Sequence, residues 1–373
     1  MPKKLKLGMV GGGQDAFIGT VHRMAARLDG HWEFVAGALS STPERALASG
    51  TELGLDNDRI YTDFDSMARS EAARDDRIDA VSIVTPNHAH FGPAKAFLER
   101  GIPVICDKPL TTTLEDANTL ATLVEQTKTP IILTHNYTAY PMIRHAREMV
   151  EAGELGDLRI IHIEYIQDWL AEPLESFGQK QASWRTDPVK SGAGGAIGDI
   201  GTHAYNLARF VAQKKANRLS AHLHSFIPGR VLDDNAHIII DFEEQLRGVL
   251  LASQVMPGYE NEIRLRISGS QGSIEWHQSS ANQLLFAKLG EAPRIVRRAG
   301  AGAGIMANAV SRIPGGHPEG YLEAFATIYT EVAGLIRGED QPLLPDIRAG
   351  IEGLEFISNC VDSAYQDGAW VKF

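Results

Sequence analysis

Leu5-Lys6-Leu7-Gly8-Met9-Val10-Gly11-Gly12-Gly13 is the stretch that decides the fold. A short apolar run ends in three glycines, and an amphipathic segment, 21–28, follows. That order reads as strand, tight turn and helix. Glycines at the junction let the backbone approach a pyrophosphate, whose charge is then met by amides at the helix N-terminus. Four more runs, 34–39, 81–84, 104–105 and 131–133, repeat the strand signal with helical lengths of chain between them. Runs apolar on both faces belong to a parallel sheet covered on both sides, so residues 1–138 are expected to form a doubly wound α/β domain. Thr42-Pro43-Glu44 marks one helix start with proline at its first position, and Thr113 with Asp116 resembles a capping box at another.

Beyond Tyr140 the pattern changes. The runs 159–169, 236–242, 249–255 and 262–268 are longer and carry polar residues at alternate positions, joined by turn sequences such as Pro257-Gly258. They predict one antiparallel or mixed sheet with one face covered by helix, in a second domain over 139–373. The Gly- and Ala-rich segment 300–316 has no sustained period and reads as a mobile loop, and helical patterns resume at 321–336 and 347–365.

Composition narrows the function. With 36 Lys plus Arg against 47 Asp plus Glu, a net charge of −11 and no long basic block, nucleic acid is not an expected partner. Lys3, Lys4 and Lys6 begin like a signal peptide, but the apolar segment 7–10 ends in glycine before an h-region forms, so a cytoplasmic protein is expected. No apolar run approaches the roughly 18 residues of a membrane-spanning helix. Cys106 and Cys360 make no disulfide framework; Cys106 reads as a small apolar residue at a strand end, with a redox role as the alternative.

Chemistry-bearing motifs collect at the strand ends. Cys106-Asp107-Lys108-Pro109 closes the run 102–105, and a lysine fixed where a dinucleotide would lie is a candidate for chemistry at the cofactor's reactive ring. In the glycine turn, with Gly11, Gly13, Phe17 and Ile18 as cofactor candidates, either Ala16 stands for the third glycine or a longer loop gives that part to Gly19. Ser40 and Ser41 end the second strand without a carboxylate and Arg45 lies one helical turn on, a site that tolerates NADP at least as well as NAD. For Arg45 the plain alternative is an exposed helix residue. Thr85-Pro86-Asn87, with His88 and His90, follows the third strand and suits a nicotinamide ribose or substrate, Asn87 otherwise being a helix cap. In the glycine-rich segment 192–203, Asp199 opening a helix would stand four residues from His203 on one face, where a carboxylate orients an imidazole as general base. The same spacing suits a metal, and a third reading has Asp199 as N-cap and His203 packed; no metal is expected.

Taken in order, these motifs resemble the Gfo/Idh/MocA family of NAD(P)-dependent dehydrogenases over nearly the whole chain. The carriers are the turn Gly11 to Gly19, Thr85-Pro86-Asn87 with His90, Asp107-Lys108-Pro109 in place of Glu-Lys-Pro, and Asp199 with His203. The resemblance implies a Rossmann domain, then an α/β domain with a large, mostly antiparallel open sheet. It also implies NAD or NADP as cofactor and sugars, cyclitols or their derivatives as substrates. By it Lys108 contacts the reacting hydroxyl and the nicotinamide region, His203 exchanges the hydroxyl proton, and Asp199 orients substrate or base. There are two departures. Asp107 is one methylene shorter than the usual glutamate, which puts its direct contact with the cofactor in question; the loop Gln14-Asp15-Ala16-Phe17 is long, with Asp15 expected to point away from the pyrophosphate. Substrate candidates are Asn136, Tyr137, Tyr165, Asp168, Trp169, Trp184, Arg185 and His317, with Arg185 suited to a carboxylate or phosphate. A non-catalytic NAD(P)-binding sensor is the alternative, and the presence of Lys108, Asp199 and His203 together favours an enzyme. A homo-oligomer, dimer or tetramer, is expected through an open sheet face carrying Ile238, Ile240 and Phe242.

Overall fold

The computed structural model describes residues 3–373 and divides into two compact units. One comprises the chain up to Asn136 with Phe325–Leu354, the other Tyr137–Ala324 with Glu355–Phe373. The first unit ends its N-terminal part at Asn136, and Phe325–Leu354 returns to it later in the chain.

In the first unit, β1 (Leu5–Gly11), β2 (Trp32–Ala38), β3 (Ala80–Val84), β4 (Val104–Cys106) and β5 (Ile131–Leu133) form a parallel sheet in the order β2-β1-β3-β4-β5. Helices α1 (Phe17–Leu28), α2 (Pro43–Glu52), α3 (Phe64–Ala72), α4 (Phe91–Leu98) and α5 (Leu114–Thr127) lie between the strands. Every residue of β3, β4 and β5 is buried, which is why these strands read as unbroken apolar runs. Strand order reverses between β1 and β3, where Gly11 pairs with Val84, and at such a switch point the strand C-termini leave a ligand crevice. Thr113 caps α5 by accepting from the Asp116 amide at 3.2 Å. Away from the crevice, the buried Glu71 carboxylate is met by Arg59 Nε at 3.1 Å and Nη2 at 2.5 Å, the Tyr61 hydroxyl at 2.8 Å and the Ile78 amide at 3.1 Å.

The second unit contains α6 (Pro141–Glu151), β6 (Leu158–Ile166), α7 (Lys180–Arg185), α8 (Thr202–Ala212), β7 (Ala216–His224), β8 (Asn235–Phe242) and β9 (Arg247–Ser253). It continues with β10 (Glu262–Gly269), β11 (Gly272–His277), β12 (Gln283–Lys288), β13 (Arg294–Arg297) and β14 (Val371–Lys372). The strands form one nine-stranded sheet, β13-β12-β11-β10-β6-β9-β8-β7-β14, in which β6 and β9 run parallel and the other neighbours antiparallel. Helix α9 (Tyr321–Ile336) starts in this unit and belongs to the first from Phe325; α10 (Ile347–Tyr365) re-enters the second at Glu355. No helix among the described residues is long and apolar enough to cross a membrane.

Two expectations are corrected. Ile238, Ile240 and Phe242 are each 1% exposed and lie in the core, so the open face is carried by the residues between them: Ile239, with Val249 opposite it and Ile160 on β6. The segment 300–316 is pinned rather than loose. Glu148 on α6 accepts from the Ile305 and Met306 amides at 3.0 and 3.1 Å, capping a short helix, Ile305–Ala309. Arg298, paired with Glu319 at 2.7 Å, donates to the carbonyls of Ile313, Pro314 and His317.

Candidate active site

The first unit shapes its crevice with glycine. Gly11 and Gly12 take φ of +79° and +72°, a region strained for any residue with a Cβ. A Cβ on Gly19 would lie 2.4 Å from Gly12 Cα and 2.6 Å from Gly12 O, so Gly19, and not Ala16, is the glycine that lets α1 close on the turn. A Cβ on Gly13 would meet Leu39 O at 2.6 Å. The backbone is bare where it rounds the strand ends, as close approach of a pyrophosphate requires, and α1 begins at Phe17 without a side-chain cap. Phe17 is exposed, while Ile18, partly buried, packs against the apolar cluster formed by Met9, Leu39, Leu55, Ile60 and Val84. Arg45 donates to Asp15 Oδ2 at 2.9 Å and to Gln14 O at 3.2 Å, turning Asp15 toward α2. The Ser40 hydroxyl accepts from the Thr42 amide, and Ser41 is exposed.

The loops after β3 and β4 are tied together. Thr85 Oγ1 donates to Ala89 O at 3.0 Å, and Asn87 follows Pro86 as the buried residue of a turn whose His88 is exposed. His90 is fully buried, with Nδ1 2.8 Å from Pro109 O and Nε2 2.9 Å from Thr85 O. Its ring therefore serves the two loops and is not presented to a cofactor, a correction to its expected role. Burial holds this imidazole below its usual range despite the charge of Asp107. Asp107 also turns inward: Oδ1 accepts from Thr134 Oγ1 at 2.6 Å and lies 3.0 Å from His22 Nε2. Burial pushes its carboxyl up, but the attraction and hydrogen bond of His22, with the Thr134 bond, outweigh burial and leave it below the usual carboxylate range. Lys108, half-buried, follows; burial, and then the Lys108 charge, bring the His135 imidazole down to about 3. Asn136 Nδ2 is buried without a hydrogen-bond partner, a donor left for a ligand. A bare glycine turn, a half-buried ammonium and an unsatisfied amide fit a pyridine dinucleotide.

In the second unit a single π-helical turn, Ile197–Gly201, leads into α8. Its cap is Asp233 rather than Asp199: the Asp233 carboxylate accepts from the Gly195 amide at 2.6 Å and the Ile197 amide at 2.9 Å. A Cβ on Gly195 would lie 2.0 Å from Asp233 O, so glycine is required there. Burial pushes the Asp233 carboxyl up to about 6 against the pull of those amides. Asp199 is thereby left to face Arg185 Nε at 3.2 Å and Gln254 Nε2 at 2.9 Å. The Arg185 guanidinium lies over Trp184 at 4.1 Å and Trp169 at 5.8 Å. Paired with Asp199, it is not the uncompensated cation that a carboxylate or phosphate would call for.

Gln254 also donates to Gln167 Oε1 at 3.1 Å, which accepts from Trp169 Nε1 at 2.9 Å. Gln167 Nε2 and the Tyr165 hydroxyl both donate to Asn261 Oδ1, at 2.6 and 2.9 Å, so Tyr165 accepts from the Tyr137 hydroxyl 2.6 Å away. His203 packs edge-on against Tyr137 at 5.1 Å between ring centroids. Burial foremost, and the Asp199 charge among the lesser causes, raise both phenols above their usual range. Tyr137, Tyr165, Trp169, Trp184, Arg185, Asp199 and His203 are thus brought together. Asp168 instead accepts from the Gly258 amide, and His317 lines a pocket of about 420 Å³ with Ser279, Asn282 and Arg297, to which none of that group contributes. Carboxylate, amide and hydroxyl groups beside indole rings suit a hydroxyl-rich ligand. Gln167, Gln254, Asn261 and Asp233, like His22 and Thr134, escaped sequence reasoning because their partners are remote in the chain. Among the described residues no group of three or more His, Cys, Asp or Glu could hold a metal ion.

Comparison with known proteins follows the same division. Residues 5–135 match the oxidoreductase family with an NAD-binding Rossmann fold, and 143–275 match the GFO/IDH/MocA C-terminal domain. An uncharacterized oxidoreductase, YfiI, of Bacillus subtilis is 35% identical across all of this chain and 97% of its own. The crystal structure of an oxidoreductase from Sinorhizobium meliloti superposes with a TM-score of 0.91 at 51% identity, covering 99% of this chain and 100% of that one. An inositol dehydrogenase homolog from Azotobacter vinelandii, complexed with NADH and myo-inositol, superposes with a TM-score of 0.92 at 34% identity, covering 100% and 98%.

Proposed function

Because the chain belongs to the Gfo/Idh/MocA family of NAD-binding oxidoreductases, we propose that it interconverts a secondary hydroxyl and a ketone on a sugar, cyclitol or sugar derivative. The observation that carries this reading is the cluster around Asp199, whose charge is already balanced by Arg185 and whose neighbours are amides, phenols and indoles. Such a surface binds hydroxyls and has no cation to spare for an acid, and the bound myo-inositol of the Azotobacter relative supports the substrate class.

Backbone amides of the turn Gly11 to Gly13, the Thr85-Pro86-Asn87 segment, Lys108 and Asn136 would hold NAD or NADP, between which Ser40 and Ser41 make no choice. The bound nicotinamide supplies the hydride acceptor or donor. Lys108 places an ammonium against the charge that develops on the substrate oxygen. His203 takes the hydroxyl proton on a ring nitrogen and returns it in the reductive direction. Asp199 and Gln254 orient the remaining hydroxyls. A panel of cyclitols and sugars assayed with NAD and NADP by nicotinamide absorbance tests this: turnover of at least one is expected. Tight NADH binding with no turnover of any polyol would favour the sensor reading. The open face with Ile160, Ile239 and Val249, each about half exposed, further supports self-association, which a monomer in light scattering would contradict.

A further inference from the structure

Within the first unit, behind the Lys108 loop, runs a line of polar groups that this chemistry does not use. Ser82 Oγ on β3 lies 2.6 Å from the Tyr329 hydroxyl on α9, which lies 2.8 Å from His22 Nδ1 on α1. His22 Nε2 lies 3.0 Å from Asp107 Oδ1, just after β4. Ser82 and His22 are fully buried and Tyr329 nearly so, while the Asp107 side chain keeps 16% exposure and directly precedes Lys108. The Phe325 ring packs 5.0 Å from the imidazole, and Trp32 Nε1 donates to Tyr329 O, holding α9 in place.

With Asp107 ionised, two proton arrangements satisfy the whole line. With His22 neutral, Ser82 donates to Tyr329, Tyr329 donates to Nδ1, and Nε2–H donates to Asp107. With His22 charged, Nδ1–H donates to Tyr329 and Tyr329 donates to Ser82, while Nε2–H still donates to Asp107. The bond to Asp107 is the constant in both. Buried polar groups are costly unless bonded, and an apolar core would fill this space without that cost, so the line serves the group at its open end.

We propose that His22 is a positioning residue of the oxidoreductase site, holding the Asp107 carboxylate ionised and turned inward and so fixing the backbone that presents Lys108. Its effect on turnover rests on the role given to Lys108 above; its effect on Asp107 does not. The titratable groups around it are Asp107 from the β4 end, Tyr329 from α9 and Arg23 from α1, with His90 and Lys108 acting on Asp107 and its loop.

Paired variants of the full chain separate this from a general packing role. In H22Q the side-chain amide reaches the Nε2 position and can keep Asp107; in H22N it reaches only the Nδ1 position and keeps Tyr329. Carbon-13 NMR of the Asp107 carboxyl, assigned with D107N, is expected to show its midpoint about one pH unit or more higher in H22N, with H22Q returning toward the parent. On a confirmed polyol, H22N is expected to lose about tenfold or more in kcat, its acid limb moving to higher pH, with NADH affinity within about threefold and H22Q recovering much of the loss. An Asp107 midpoint unmoved in H22N, or moved equally in both variants, overturns the proposal. If the parent turns over no polyol, the functional reading fails while the NMR result still decides the role of His22. Nitrogen-15 NMR of the parent needs no variant: the neutral ring must be the Nε2–H tautomer, and an Nδ1–H tautomer would equally overturn the proposal.

Discussion

Replacing Gly19 by alanine places a methyl carbon 2.4 Å from Gly12 Cα and 2.6 Å from Gly12 O. Carbon atoms in contact settle at roughly 3.5–4.0 Å, so α1 and the glycine turn must separate by about 1 Å or more. Both contacts are backbone and neither can rotate away, unlike the end of a flexible side chain. Overpacking of this kind costs about 1–3 kcal/mol, and a backbone clash belongs at the upper end. The same displacement carries the turn amides out of reach of a pyrophosphate. With each ~1.4 kcal/mol worth tenfold in Kd, NADH is expected to bind about 10–100-fold more weakly. Thermal denaturation should fall by several degrees, at roughly 2–4 °C per kcal/mol for a domain of this size. Fluorescence titration with NADH and a melting curve read both effects. Gly353→Ala is the control: nothing lies within 4 Å of its Cβ, and in the middle of α10 alanine should add about 0.5–1 kcal/mol without touching NADH affinity. A Gly19→Ala protein with the parent's Kd and melting temperature would refute the close-packing argument.

Two further outcomes follow from buried charges. Glu71→Ala removes the carboxylate that Arg59, Tyr61 and the Ile78 amide all meet, leaving the buried guanidinium only the half-exposed Asp76 at 3.2 Å as counter-charge; urea denaturation should show a loss of about 3 kcal/mol, and a loss under 1 kcal/mol would contradict it. Asp233 has a folded pKa of about 6 against an ordinary 3.8, so between those values the folded state binds the extra proton. Its contribution therefore favours folding below about pH 4 and declines as pH rises to about 6, by up to ~3 kcal/mol. Denaturation from pH 4 to 7 should be flatter by that amount in Asp233→Asn, and an unchanged slope would assign the dependence elsewhere.

Much of the first unit was legible because buried parallel strands leave apolar runs bounded by glycine and proline, as at Ile131–Leu133, whose limits agree to the residue. Edge strands carry no such mark: β13 has only Ile295 and Val296 between arginines, and β14 has two residues. The glycine spacing left Ala16 and Gly19 as rivals because the deciding contact, with Gly12, is tertiary. Asp199 had the sequence position of a cap, yet Asp233, 36 and 38 residues from the amides it accepts, holds that role and leaves Asp199 for Arg185 and Gln254. The anchor of the 300–316 segment is likewise distant, Glu148 lying 157 residues from Ile305. His22 carries no local signal at all, since a single histidine on an amphipathic helix gains its meaning only from the strand and helix that fold against it.

In the proposed reaction the Lys108 ammonium serves the reacting oxygen. Turnover of a confirmed polyol by Lys108→Ala, measured alongside NADH affinity, tests it most directly. A fall in kcat of about 10²–10³-fold with NADH still bound within a few-fold is the result expected. A kcat equal to the parent's would mean that Lys108 has no part in the chemical step.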